Sequence, residues 1–252
     1  MTIRRYHAIL LGVALLLSGA VSYSSWESHP YQLSRPEIGV VPRHPWIALT
    51  FDDGPHPVMT ERLLSALKDE GVPATFFIVG KMAVRHPEIV QEIARQGHEV
   101  ANHTFSHPNL ARLDSKDVLN ELAQTRAVIQ KLTGQDSRLY RPPGGDYSRQ
   151  SLNIASKAGY HMVLWDILTK DVNGAPAAVM QRHILNNATD GAIVLMHSGV
   201  QTTVEMLPGV IEGLRREGYH FVTVSQILGF DRSQNSYQPP LPDTAAFPIV
   251  SR

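Results

Sequence analysis

The chain contains no cysteine among its 252 residues. Thiolate metal ligands, a cysteine nucleophile and disulfide bonds are therefore excluded, and the fold must be held together by its core. An excess of charge is also lacking, because 23 basic side chains balance 23 acidic ones. A surface for nucleic acid or for an anionic membrane is therefore not indicated. No internal repeat is present, which argues against a solenoid or a propeller.

Long apolar runs are scarce too, and the clearest one lies near the N-terminus. Arg4 and Arg5 precede an apolar run over residues 8–17, and Ser18-Gly19-Ala20 follows as a small-x-small pattern. The run is short for a membrane span, so we expect a signal peptide over residues 1–20, with an uncleaved signal anchor as the alternative. A lipoprotein would need an acylated cysteine at the last of these positions, so lipidation is excluded. We therefore expect export to the periplasm, the cell envelope or the medium, with membrane contact only if the signal is uncleaved.

Beyond the N-terminus, short apolar or β-branched runs alternate with stretches of helical spacing. Residues 21–45 are expected to be a linker and residues 230–252 an irregular tail, with one catalytic domain over residues 46–229 between them. Alternation of strand and helix predicts a parallel sheet, either a distorted barrel or an open doubly wound sheet. The predicted strands are 46–51, 74–79, 98–101, 138–141, 161–165, 192–196 and 220–224, and the predicted helices are 57–70, 82–96, 115–132, 148–158, 175–186 and 202–217.

Two polar motifs stand where predicted strands end. TFDDGP contains Asp52 and Asp53, and NHTFSH places His103 and His107 four residues apart. Two imidazoles and one carboxylate suit a divalent cation with open coordination positions. Neighbouring carboxylates at a strand end point in different directions, so one is available as a ligand and the other as a base. The alternatives are that the histidines cap or pack and that DDGP is only a turn.

The RPPGG segment offers a backbone donor. Pro142 and Pro143 have no N–H, so the first donor after Arg141 is the N–H of Gly144, presented by a loop that two prolines stiffen. This N–H is a candidate for stabilising an oxyanion. A rigid turn without function is the alternative.

Two aspartates and a histidine also lie near the ends of predicted strands. Asp166 and Asp171 follow the strand that ends at Trp165, and Asp166 could simply cap or turn. IVLMH ends a predicted strand with His197, a position where histidine is ordinarily a surface residue. Four other histidines are expected to be structural or exposed: His56, His86, His98 and His161. His56 carries a reservation, because it follows the DDGP turn and could border a cleft. Trp46 is expected in the core.

Together these motifs resemble those of the polysaccharide deacetylase family, which has the NodB homology domain of carbohydrate esterase family four. The resemblance spans roughly residues 45–229, with five motifs in the family's order. It implies a distorted (β/α) barrel with about seven parallel strands and a site at their carboxyl ends. It also implies that Asp53, His103 and His107 bind a divalent metal, with Zn²⁺ expected first and Co²⁺, Ni²⁺ or Mn²⁺ as alternatives.

The resemblance implies catalytic roles for four further residues. Asp52 matches the catalytic base, and Arg141 matches the residue that keeps the base ionised and oriented. His197 matches the general acid, and Asp171 matches the carboxylate that pairs with it. The sequence therefore predicts acid–base catalysis beside a metal.

The resemblance also implies a pocket around the acetyl group. The Gly144 N–H would hold the oxyanion, and Leu195, Val172 and Trp165 would border the pocket. Many members of the family have aromatic residues where this chain has Gly144 and Val172. This departure spares the backbone donor but removes walls of the groove, which puts the substrate preference in doubt.

The implied reaction is the removal of N-acetyl groups from a glycan, such as peptidoglycan, a chitin-like oligomer or an exopolysaccharide. Hydrolysis of O-acetyl esters in a xylan-like polymer, or of a non-sugar amide, is the alternative. An inactive glycan-binding module is a third reading, which a retained base and acid make unattractive. The protein is expected to be a monomer whose partner is its glycan substrate.

Overall fold

The computed structural model describes residues 45–230. The predicted signal segment, the linker up to residue 44 and the tail from residue 231 lie outside the described residues, so the predicted domain division stays a prediction. Within residues 45–230, no helix is long and apolar enough to cross a membrane.

Strands and helices alternate along the described part of the chain. The strands are β1 (Trp46–Gly54), β2 (Thr75–Ile78), β3 (Glu99–Asn102), β4 (Leu139–Tyr140), β5 (His161–Met162), β6 (Ile167–Leu168), β7 (Ala192–His197) and β8 (His220–Phe221). The helices are α1 (Met59–Glu70), α2 (Gly80–Arg85), α3 (Pro87–Arg95), α4 (Ser115–Thr133), α5 (Arg149–Lys157), α6 (Ala177–Asn187), α7 (Gln201–Arg216) and α8 (Val224–Ile227). Short 3₁₀ turns cover Leu110–Arg112, Pro143–Gly145 and Asp171–Asn173.

The sheet curls into an incomplete barrel. Its strand order is β5-β4-β3-β2-β1-β7-β6, and β8 pairs with the first two residues of β1. Every pair of strands is parallel. Within residues 45–230 no pairing joins β5 to β6. The expected distorted (β/α) barrel with about seven parallel strands is confirmed, and the doubly wound alternative is wrong.

The residues of β1 alternate between two environments, as a pleated strand requires. Ile47, Leu49 and Phe51 pack with the helices in the largest core cluster. Ala48 packs inside the barrel in a separate cluster with Phe77. The same period of two carries the inward face to Asp52, at the carboxyl end of the strand. Strand pleating therefore delivers this carboxylate to the mouth of the barrel.

The structure corrects four local expectations. The single helix predicted over residues 82–96 is two helices, because Pro87 has no N–H to continue α2 and starts α3 instead. The two-residue strand β6 and the four-residue helix α8 are too short to leave a periodic pattern and were not predicted. Trp46 is 36% exposed, not in the core, because it is the first residue of β1.

Candidate active site

Asp53, His103 and His107 meet at the carboxyl ends of β1 and β3. Asp53 Oδ1 lies 3.3 Å from His103 Nε2 and 3.0 Å from His107 Nε2. The ligand atoms of all three lie within 4.8 Å of one another. One carboxylate and two imidazoles are the donor set of open zinc sites, so these side chains fit a divalent cation.

The electrostatics of the three residues agree with this geometry. Burial favours the neutral form of Asp53, but hydrogen bonds from His103 and His107 outweigh burial and hold the pKa of this carboxyl far below its usual range. The hydrogen bond to Asp53 in turn raises the pKa of His107. The site therefore keeps an anionic oxygen among nitrogen ligands.

The backbone of this site adopts left-handed conformations at residues with side chains. The φ angle is 65° at Asp53, 67° at Thr104 and 61° at His107. Such angles are uncommon outside glycine, and a β-branched threonine is a true outlier. Strained backbone of this kind concentrates at functional sites, where the surrounding structure must hold it in place.

Asp52 lies inside the barrel and is paired with a fully buried arginine. Arg141 Nη1 donates to Asp52 Oδ1 at 2.7 Å and to Thr50 Oγ1 at 2.8 Å. The guanidinium stacks 4.1 Å above the ring of Phe77 and also donates to the Leu164 carbonyl. Burial lowers the pKa of Arg141, and the charge of Asp52 opposes that change. The arginine thus holds one oxygen of Asp52 and leaves Oδ2 facing His103 Nε2 at 3.8 Å.

His197 and Asp171 form a second pair across the mouth of the barrel. His197 Nδ1 lies 2.7 Å from Asp171 Oδ1, and Asp171 Oδ2 accepts from the His197 N–H and from Thr203 Oγ1, each at 2.7 Å. Burial lowers the pKa of His197, but the hydrogen bond and charge of Asp171 outweigh it and raise this pKa. His197 is the register partner of Asp52, so the pair lies next to the buried carboxylate.

Asp166 does not join this group. Its Oδ2 accepts from the Ile193 N–H at 2.8 Å, near the start of β7. Asp171, in contrast, reaches His197 at the end of the same strand. Of the two aspartates, the structure thus brings only Asp171 to the candidate site.

The predicted pocket residues lie around the same mouth. Gly144 is exposed with φ 66°, and a Cβ there would meet only the Asp146 side chain, at 3.7 Å. Trp165 packs so close to Gly145 that a Cβ on that glycine would lie 2.8 Å from its ring. Leu195 is 3% exposed on β7, and Val172 is 57% exposed beside Asp171. Gly144 and Val172, the two departures from the family pattern, are therefore both exposed to solvent.

His56 lies beside the loop that follows His197. A Cβ on Gly199 would come within 3.4 Å of the His56 ring. Its Nδ1 accepts from the backbone N–H groups of Val58 and Met59, at the start of α1. His56 therefore has a structural task at the edge of the site.

Sequence reasoning missed a residue that contacts the His197–Asp171 pair. Thr203 is fully buried on α7 and donates to Asp171. It belongs to none of the motifs, and nothing in its sequence context distinguishes it from a core threonine.

Comparisons with known proteins place this chain among related sequences. A family model described as polysaccharide deacetylase matches residues 40–163. The chain is 36% identical to a peptidoglycan-N-acetylglucosamine deacetylase of Bacillus cereus over 186 residues, which cover 72% of this chain and 68% of that protein. The chain spans only 42% and 40% of the length of two other curated relatives that it matches.

Solved structures share the fold. Peptidoglycan deacetylase PdaC of Bacillus subtilis superposes with a TM-score of 0.70 at 35% identity, over 75% of this chain and 93% of that chain. BA3943, a CE4 family pseudoenzyme of Bacillus anthracis, also superposes with a TM-score of 0.70, at 28% identity over 74% of this chain and 66% of that chain. This fold therefore occurs both in deacetylases and in a pseudoenzyme. Whether a chain with this fold is active depends on the residues of its site.

Proposed function

The chain belongs to the polysaccharide deacetylase family, and we propose that it removes N-acetyl groups from amino sugars of peptidoglycan and releases acetate. The observation that carries this proposal is the meeting of three groups at one mouth of the barrel. These groups are the Arg141–Asp52 pair, the Asp53–His103–His107 cluster and the His197–Asp171 pair. A binding module has no use for a base and an acid placed beside a metal site.

A divalent metal would be held by Asp53, His103 and His107. When bound, it supplies a Lewis acid for the acetyl carbonyl and lowers the pKa of water. Zinc is the metal we propose, because imidazole and carboxylate ligands with open positions suit it; cobalt, nickel and manganese are the alternatives.

Asp52 takes a proton from the attacking water. Arg141 occupies Asp52 Oδ1, so Oδ2 is the oxygen left to accept the proton. Arg141 is fully buried, and its hydrogen bond orients this carboxylate. The base is thus oriented by one oxygen and acts through the other.

The Gly144 N–H stabilises negative charge on the former carbonyl oxygen. Within residues 45–230 this N–H has no acceptor, whereas the next two N–H groups bind Pro142 and Pro143 carbonyls. A free backbone donor on a rigid turn needs no reorganisation as charge develops. Leu195, Val172 and Trp165 border the acetyl group in this proposal.

His197 donates the proton that the departing amine needs. Its Nδ1 is engaged by Asp171, so Nε2 is the nitrogen that faces the substrate. As the C–N bond breaks, the hydroxyl from water stays on the acetyl carbon, and the nitrogen leaves as a free amine. Acetate and a deacetylated sugar result.

The predicted location and organisation fit this substrate. Peptidoglycan lies in the cell envelope, where a chain with an export signal over residues 1–20 would meet it. We propose that residues 46–229 act as the catalytic domain, as a monomer, with residues 21–45 as a linker and residues 230–252 as a tail.

The test is acetate release by the purified full-length protein from peptidoglycan, N-acetylglucosamine oligomers and acetylated xylan, with and without a chelator. We expect chelator-sensitive release from peptidoglycan, restored by zinc. Acetate release from xylan alone would favour hydrolysis of O-acetyl esters as the reaction. Metal binding without any acetate release would favour an inactive glycan-binding module.

Asp52→Asn isolates the base. We expect acetate release to fall at least about 100-fold, because the amide cannot accept the proton, while zinc content stays unchanged because Asp52 is not a ligand. Asp166→Asn is the matched control, since this exposed aspartate lies away from the site. Equal activity of Asp52→Asn and the wild type would exclude Asp52 as the base.

A further inference from the structure

Glu121 holds the loop that carries both histidines of the metal site. It lies on α4, outside every motif that the sequence analysis singled out. From its contacts we infer that Glu121 is a positioning residue: its carboxylate fixes the segment between His103 and His107 in the shape that metal binding requires. This inference rests on the proposed metal site.

The Glu121 carboxylate accepts three hydrogen bonds from that segment. Its Oε2 accepts from the Phe105 N–H at 2.8 Å and from the Ser106 N–H at 2.7 Å. Its Oε1 accepts from Ser106 Oγ at 2.7 Å. Hydrogen bonds to a carboxylate are short and strong. This one side chain accepts from every hydrogen-bond donor of Phe105 and Ser106.

The opposite side of the segment is held by α2. The Gly80 N–H donates to the Thr104 carbonyl, and the Lys81 N–H donates to the Phe105 carbonyl, each at 2.9 Å. Acceptors from α4 and donors from α2 thus clamp the same peptide groups. These contacts from both sides explain how the left-handed backbone is held at Thr104 and His107, which flank Phe105 and Ser106.

The two histidines depend on this clamp to different degrees. His103 has its own support, because its Nδ1 lies 2.9 Å from the Arg141 carbonyl and its side chain is 2% exposed. The His107 side chain is 43% exposed, and this residue directly follows Ser106. Loss of Glu121 should therefore displace His107 more than His103.

The experiment compares metal binding by folded apoproteins. Zinc affinity is measured by competition with a chromophoric chelator, and the Co²⁺ absorption spectrum reports the ligand geometry. We expect Glu121→Ala to weaken zinc binding about 10- to 100-fold, the usual effect of removing an outer-shell partner, and to change the Co²⁺ spectrum. Glu121→Gln keeps an oxygen for the two N–H groups but loses the charge, so we expect a smaller loss of roughly three- to tenfold.

Asn120→Ala is the matched control, because Asn120 is the exposed neighbour of Glu121 on α4, and we expect it to bind zinc like the wild type. Wild-type zinc affinity and Co²⁺ spectrum in folded Glu121→Ala would overturn the inference. If Glu121→Ala does not fold, wild-type affinity in Glu121→Gln would overturn it.

Failure of the proposed function has a different signature. A wild type that binds zinc but releases no acetate would overturn the proposed reaction, while the difference in zinc affinity between wild type and Glu121→Ala would still support the inference. A wild type that binds no zinc would overturn both.

Discussion

The two buried carboxylates at the mouth of the barrel differ in how many of their oxygens are engaged. Asp52 gives Oδ1 to Arg141 and keeps Oδ2 open towards His103. Asp171 is bonded through both oxygens, to His197, to Thr203 and to the Val172 N–H. A carboxylate with an open oxygen can accept a proton. A carboxylate with both oxygens bonded can only orient its partner and stabilise the partner's protonated form. The number of engaged oxygens thus distinguishes the proposed base, Asp52, from Asp171, which pairs with the proposed acid.

The pH dependence of Asp171→Asn tests this division of roles. The general acid must be protonated, so activity falls as pH rises through the pKa of His197. Asp171 raises that pKa against the effect of burial, and its neutralisation should lower it. We expect the alkaline limb of kcat to move to lower pH, and kcat itself to fall about tenfold or more. A pH–rate profile measures both, and an unmoved alkaline limb would contradict the role of Asp171.

At the scale of elements, the metal-site loop depends on how closely α2 approaches it. Gly80 begins α2, separated from β2 only by Val79, and the backbone N–H groups of Gly80 and Lys81 donate to the loop carbonyls. Adding a Cβ to Gly80 would place it 2.5 Å from the Phe105 ring, 2.6 Å from Thr125 Oγ1 and 3.1 Å from Phe105 Cα. Glycine is needed here for close approach of two backbones.

Gly80→Ala should therefore separate α2 from the loop. We expect the free energy of unfolding to fall by about 1–3 kcal/mol, the usual cost of overpacking, and zinc affinity to weaken. Urea unfolding followed by circular dichroism measures the first effect. Lys81→Ala, exposed on the same helix, should stay within about 0.5 kcal/mol of the wild type. Equal stability of the two variants would show that α2 and the loop can move apart at residue 80 without loss of stability.

At the scale of the whole molecule, the two ends of the barrel have different tasks. The carboxyl ends of the strands carry the candidate site, whereas His98 and Glu99 are buried at the start of β3. Glu99 accepts from Thr75 and from Ser225, which ties β2 and α8 to β3. His98 packs against Phe76, and within residues 45–230 neither of its ring nitrogens has a hydrogen-bond partner. This end therefore serves stability and contains a neutral buried imidazole.

His98 should make the fold sensitive to acid. Burial lowers its pKa from 6.5 to about 4, so between these values the unfolded chain binds a proton that the native protein excludes. Stability is then fully present above about pH 6.5 and is lost as pH falls towards 4, by about 3 kcal/mol in total. His98→Phe removes this titration and keeps an aromatic ring beside Phe76.

The measurement is urea unfolding of wild type and His98→Phe at about pH 7 and about pH 4.5. Comparison of the two proteins cancels the titration of every other group, Glu99 included. We expect the stability of the variant relative to the wild type to rise as pH falls. A difference that does not change with pH would contradict the prediction.

Sequence alone determined the local features of this protein, because they depend on neighbouring residues. Seven of the eight strands follow from short apolar runs, and the metal-site candidates Asp53, His103 and His107 follow from motifs at strand ends. The family resemblance added the barrel, which the strand pattern had left open against a doubly wound sheet. The lack of cysteine excludes disulfides by composition alone.

Tertiary structure decided what depends on contacts between distant segments. Thr203 reaches Asp171 across 32 residues, and Glu121 reaches Ser106 across 15. The positions of Asp166 and Asp171 relative to His197 depend on how β6 and the following turn lie against β7. The contacts of Thr203 and Glu121 leave no periodic or motif signal, because a hydrogen bond between side chains depends on their positions in space, and those are set by the order in which the strands pair.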